Sequence, residues 1–134
     1  SFGSWGFVEH NPAKQLLLLG SGDNQHLYKM TSDGTITRLA DLPVSIYDGT
    51  GFSGHVTADP VSGAFVVIEA GASHRCHTYE VETETWGTCT DPPAGMAGSN
   101  AAAPVATHGV IAYINCGEVS GVCDGDIYLY KHSN

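Results

Sequence analysis

The chain has 134 residues and a mass of 14.0 kDa, one domain's worth of material on the usual size prior. It is 42% hydrophobic and 14% charged, and its 17 glycines follow no G-x-y period, which excludes a disordered chain and a collagen-like one. Five Lys and Arg stand against fourteen Asp and Glu, a formal net charge of -9 with His neutral; the basic residues are scattered, so nucleic acid and anionic membrane surfaces are poor partners. The longest strongly apolar run is 16–19, far short of the roughly 20 residues that a membrane helix needs. No charged n-region followed by an apolar stretch opens the chain, so no signal peptide is expected and a mature or excised product fits.

No stretch sustains a helical period, because Gly, Pro, Asn-Pro, Asp-Pro and Asp-Gly interrupt the sequence too often. Short β-rich runs separated by turn signals predict an all-β chain. The first unit begins with 7–20 (FVEHNPAKQLLLLG), a short strand, a turn built on Asn11-Pro12 and an apolar strand. A third strand is predicted over 26–30, a favoured two-residue turn at Asp33-Gly34, and a fourth strand over 35–40 ending at Pro43. The second unit repeats the order: 55–68 (HVTADPVSGAFVVI) with its turn at Asp59-Pro60, a third strand over 76–81, a turn at Glu82-Thr83, and a fourth strand over 84–89 before Pro92-Pro93. The third unit begins with 100–113 (NAAAPVATHGVIAY) and has a third strand over 126–131, after which only His132, Ser133 and Asn134 follow.

The three opening segments superpose without a gap at offsets of 48 and 45. Four antiparallel strands per unit at about 45 residues is the signature of propeller blades. The expected architecture is therefore all-β: three antiparallel blades of a β-propeller, about 1–46, 47–95 and 96–134, the last lacking its fourth strand. Three such blades would leave wide apolar faces and an unpaired edge in water. Completion by another chain is expected, either a second copy closing a six-bladed ring or an N-terminal fragment of a cleaved propeller.

The four cysteines fall in two local pairs, Cys76 with Cys89 and Cys116 with Cys123. A hairpin centred between Glu82 and Thr83 puts Cys76 opposite Cys89 and Tyr79 opposite Trp86. Neither pair has C-x-x-C spacing. In an extended strand His74 shares a face with Cys76 while His77 points the other way, which makes a joint metal site awkward. Two disulfides are preferred to free thiols or metal ligands, and they imply an oxidising, extracellular compartment.

The segment YEVETETW, from Tyr79 to Trp86, resembles the kelch repeat, in which such an aromatic pair sits on the third and fourth strands of a blade. In the first unit Tyr28 and Ile36 stand near the corresponding places, and Gly20-Ser21-Gly22, Ala70-Gly71 and Cys116-Gly117 stand near the family's double glycine. The resemblance, to kelch-like or galactose-oxidase-like propellers, implies a scaffold for protein or carbohydrate binding, and in some secreted members an oxidase or lyase. No copper-site set can be matched to the family's positions.

Candidate binding residues lie on the aligned first-strand positions and the inter-blade loops. His55 and Asn100 are polar within small or apolar strands and would either face a ligand or be satisfied by backbone between blades. Tyr47 beside Asp48 offers a stacking face and an acceptor, suited to a sugar or a peptide, unless it is an ordinary turn with one packed aromatic. Glu9 and Asp59 are accounted for by an alternating strand and an Asp-Pro turn. Ser53 with His55 and Asp59 lacks a nucleophile elbow. Loop carboxylates such as Asp124 and Asp126 could hold calcium, but no dense run of oxygen ligands accompanies them, so no cofactor is expected. The expected function is a non-catalytic binding segment that recognises a glycan or protein. The alternative is part of a carbohydrate-active oxidase, lyase or hydrolase whose active residues lie largely elsewhere.

Overall fold

The computed structural model describes residues 6–22, 24–47, 49, 54–71, 74–93, 96, 101–114 and 125–132. It contains three antiparallel sheets. The first has the order β1 (Gly6–Asn11), β2 (Leu16–Ser21), β3 (Leu27–Thr31), β4 (Ile36–Arg38). The second repeats it with β5 (His55–Ala58), β6 (Phe65–Ile68), β7 (Cys76–Glu80) and β8 (Thr85–Thr88). The third consists of β9 (Ala101–Val105), β10 (Val110–Ile114) and β11 (Ile127–Lys131). A 3-10 turn, Ala106–His108, joins β9 to β10 and ends at Gly109 in the left-handed region.

The sheets pack face to face in chain order, with the first strands of neighbouring sheets in contact. Alternation along each central strand supplies the two cores. Phe65 and Val67 of β6 face Leu16 and Leu18 of the first sheet, whereas Val66 and Ile68 face Ile111 and Tyr113 of the third. The second sheet is thus covered on both sides, which is why Phe65 to Ile68 form a continuous buried run rather than an alternating one.

Polar ties cross between sheets at the same places. Glu9 accepts from the Thr57 hydroxyl at 2.9 Å and from the Ala58 amide at 3.1 Å. Buried Asn11 donates to the Gly63 carbonyl at 2.8 Å, and Lys14 reaches Glu80 and Glu82 at 3.1 and 3.0 Å. Gly54 enters β5 so close to the Ile68 carbonyl that a Cβ there would collide with it.

The pairing registers refine the expected repeat. Phe7 pairs with Gly20 and His55 with Ile68, as the first superposition requires. In the third sheet it is Ala101 that pairs with Ile114 in the corresponding place, so the third unit lies one residue further along than the best apolar match put it. A one-residue slip would turn Ile111 and Tyr113 away from the second sheet, so burial selects the observed register. The same comparison matches Tyr79 to Met30, not Tyr28: Tyr79 and Met30 lie opposite Phe65 and Leu17, and Trp86 and Ile36 complete the two rows. Tyr28 lies opposite Arg38, whose guanidinium sits 5.2 Å from its ring centroid. The β3–β4 turn also differs from the expected two-residue one. Thr31 donates to the Thr35 carbonyl across Ser32, Asp33 and Gly34, with Gly34 at φ 85°, a three-residue loop closed by a left-handed glycine.

The hairpin expected between Cys76 and Cys89 forms, with Tyr79 opposite Trp86 and a Cys76–Cys89 disulfide. The two rings stack at 4.5 Å with 27° between their planes. The expected Cys116–Cys123 pair lies outside the described residues.

Candidate functional site

Each junction between sheets is closed by the segment that leaves a fourth strand and crosses to the next sheet. In the first, 39–46 reads LADLPVSI; in the second, 89–96 reads CTDPPAGM. They begin alike: the Leu39 amide donates to the Leu27 carbonyl at 2.9 Å, as the Cys89 amide does to Cys76 at 3.1 Å. The disulfide therefore stands where Leu27 meets Leu39 in the first sheet.

The filling of the two junctions differs. Leu39, Leu42 and Ile46 are buried in the first core with Val44 against them. Of the described residues in the second segment, only Met96 is buried in the second core, beside half-buried Cys89, while prolines occupy the places of Leu42 and Pro43. A cavity of about 600 Å³ remains between the second and third sheets. That volume is within the range of small-ligand sites.

Its walls combine aromatic and polar groups: Tyr113 from β10, Tyr128 and Tyr130 from β11, and Thr88, Thr90 and Asp91 from the end of the second sheet. Alternation along β11 puts Tyr128 and Tyr130 on the face toward the second sheet. Tyr113 is 2% exposed, and its hydroxyl has no hydrogen-bond partner among the described residues. Burial raises its phenol above the ordinary tyrosine range, and does the same to Tyr130, so both stay protonated and available as donors. One Asp91 oxygen accepts the Cys76 amide at 2.8 Å, which fixes the carboxylate at the wall. At the far end His132 sits 2.9 Å from buried Asp59, which also accepts from the Val61 amide and the Ser62 hydroxyl. The turn expected at Asp59 is formed, and its carboxylate additionally holds β11 against the second sheet.

The residues proposed from sequence are placed differently. His55 opens β5 and is half-buried; desolvation pushes its imidazole down to about 4, so it is neutral at physiological pH. Tyr47 precedes β5, with its carbonyl accepting from the Ser45 hydroxyl. Neither lines the cavity. Asp48 and Asn100 lie outside the described residues, as does Asp124; the register gives the position equivalent to His55 to Ala101. The cavity residues Tyr113, Tyr128, Tyr130, Asp91 and His132 were not singled out. The signal for them was the loss of leucines between LADLPVSI and CTDPPAGM, visible only when the two linkers are aligned.

Among the described residues no group of three or more His, Cys, Asp or Glu side chains could hold a metal ion. No helix there is long and apolar enough to cross a membrane. No family model, curated protein or solved structure matches the chain.

Proposed function

We propose that the chain is a non-catalytic binding segment, three consecutive blades of a kelch-like β-propeller that recognises a glycan or a protein. The observation that carries the reading is the cavity between the second and third sheets, bordered by an inter-sheet linker whose counterpart in the same molecule is packed with leucines. Half-buried Tyr128 and Tyr130, threonine hydroxyls and a fixed carboxylate offer stacking faces and hydrogen bonds. The disulfide fits an extracellular protein.

The propeller reading is supported by the two open faces. Ile127 is 64% exposed, whereas the residues in its place in the other sheets, Leu27 and Cys76, are 0% and 2% exposed. At the other end Val8 and Ile36 stand exposed where Val56 and Trp86 pack on the first core. Positions buried at one junction and bare at the flank call for a further sheet of the same kind on each side. A second copy or an N-terminal propeller fragment meets that requirement.

Met96→Trp adds bulk at the cavity wall, away from either flank. Screening the native particle, with every polypeptide in it identified, against glycan arrays and candidate protein ligands should give binding that Met96→Trp abolishes. Binding that survives this substitution, or none to either class, would overturn the reading.

A further inference from the structure

The third residue of each linker is an aspartate, Asp41 in the first and Asp91 in the second. Asp41 is neutralised from within the molecule: the Arg38 guanidinium donates to it, and His26 Nδ1 stands 3.1 Å away. The register gives the place of Arg38 in the second sheet to Thr88, since Arg38 lies opposite Tyr28 and Thr88 opposite His77, the residues that follow Leu27 and Cys76. The place of His26 falls to Arg75, which is exposed and forms no ion pair with Asp91. The second linker thus has the carboxylate without its cation.

The other cations nearby do not supply it. Lys131 borders the cavity, but alternation along β11 turns its side chain to the face of Ile127 and Leu129. His132 is held by Asp59 at the far end. One Asp91 oxygen accepts the Cys76 amide, and no described residue bonds the other. A second group in the cavity also wants a partner: the Tyr113 hydroxyl, on a side chain 2% exposed, is a donor that nothing described satisfies.

Resting on the reading of this cavity as a binding site, we propose that its ligand is an amino sugar with a free, protonated nitrogen, whose ammonium group pairs with Asp91. The ammonium does there what Arg38 does for Asp41, with a charge-assisted hydrogen bond. The ring faces of Tyr128 and Tyr130 favour a cation as well. A sugar frame adds what a bare cation lacks: an oxygen to accept from Tyr113, and hydroxyls for Thr88 and Thr90. A cavity of about 600 Å³ has room for such a ligand. An acidic sugar is disfavoured by the same carboxylate and by the chain's net charge of -9.

The test measures the affinity of the native particle, at mildly acidic pH, for a glucosamine disaccharide, for the same disaccharide N-acetylated, and for arginine amide, a cation without the sugar frame. The amine form should bind about fivefold more tightly than the acetylated one, the scale of an exposed ion pair. That difference should shrink as salt is raised, a readout that needs no variant. Asp91→Asn keeps an oxygen for the Cys76 amide and should erase the difference. Tyr113→Phe should weaken both disaccharides about fivefold, the loss of one hydrogen bond, and leave their ratio unchanged. Equal binding of the two disaccharides, a ratio that Asp91→Asn leaves untouched, or arginine amide binding as tightly as the amino sugar overturns the proposal. In each of those cases the binding reading still stands if Met96→Trp abolishes the binding seen. If neither disaccharide binds, the proposal falls, and the binding reading falls with it only when the wider glycan and protein screen also gives nothing.

Discussion

At the disulfide the repeat shows one contact made by two chemistries. Both pairs share the same backbone hydrogen bond; Leu27 and Leu39 add apolar burial to it, whereas Cys76 and Cys89 add a covalent bond. Opening this crosslink, with its sequence separation of 13, should cost about 3 kcal/mol. Urea titration with and without reductant measures it. The paired substitution Cys76→Leu and Cys89→Leu should restore much of the loss, because the neighbouring sheet already accommodates leucines there. His55 supplies a pH signature. Its folded value of about 4 lies below the unfolded 6.5, so between these values the unfolded chain takes up the proton more readily. Its contribution is intact above pH 6.5, declines as the pH falls toward 4 and then levels off, a span of at most about 3 kcal/mol. His55→Asn should flatten that part of the stability profile relative to the parent chain. The Cys76–Cys89 pairing was legible because a hairpin register follows from counting. The burial of His55 was not, since it arises only once the neighbouring sheets pack against β5.

At the scale of the strand, alternation decides what a sequence match leaves open. The apolar segments align well at either of two neighbouring offsets, but only one turns Ile111 and Tyr113 toward the second sheet. Strand order and approximate limits were readable from turn residues and β-branched runs. Exact correspondence was not, because a one-residue slip costs little in composition and everything in facing. The Tyr79–Trp86 pair tests the packing of β8. Trp86→Ala should destabilise the chain by about 2 kcal/mol, combining lost burial with the lost aromatic pairing, as measured by thermal unfolding. Ile36→Ala, at the equivalent but exposed position, should change stability by less than about 0.5 kcal/mol. Equal effects at the two sites would show that the first and second sheets are not packed as described.

For the whole molecule the flanks matter more than the cores. Ile114, Ile127 and Leu129 form one bare apolar face, and Val8 and Ile36 belong to the other. Ile127→Glu should leave the stability of the isolated chain within about 0.5 kcal/mol, yet, on the proposed reading, abolish association through that face; sedimentation of parent and variant distinguishes the two effects. The open flanks were legible from the number of repeats. The cavity was not, because an unfilled space is a property of how two linkers differ after folding.

The crosslinked hairpin lies in the sheet that both others cover. Its ends are close in sequence, so it can form before any distant strand has arrived. The central sheet is then the expected nucleus on which the outer ones condense.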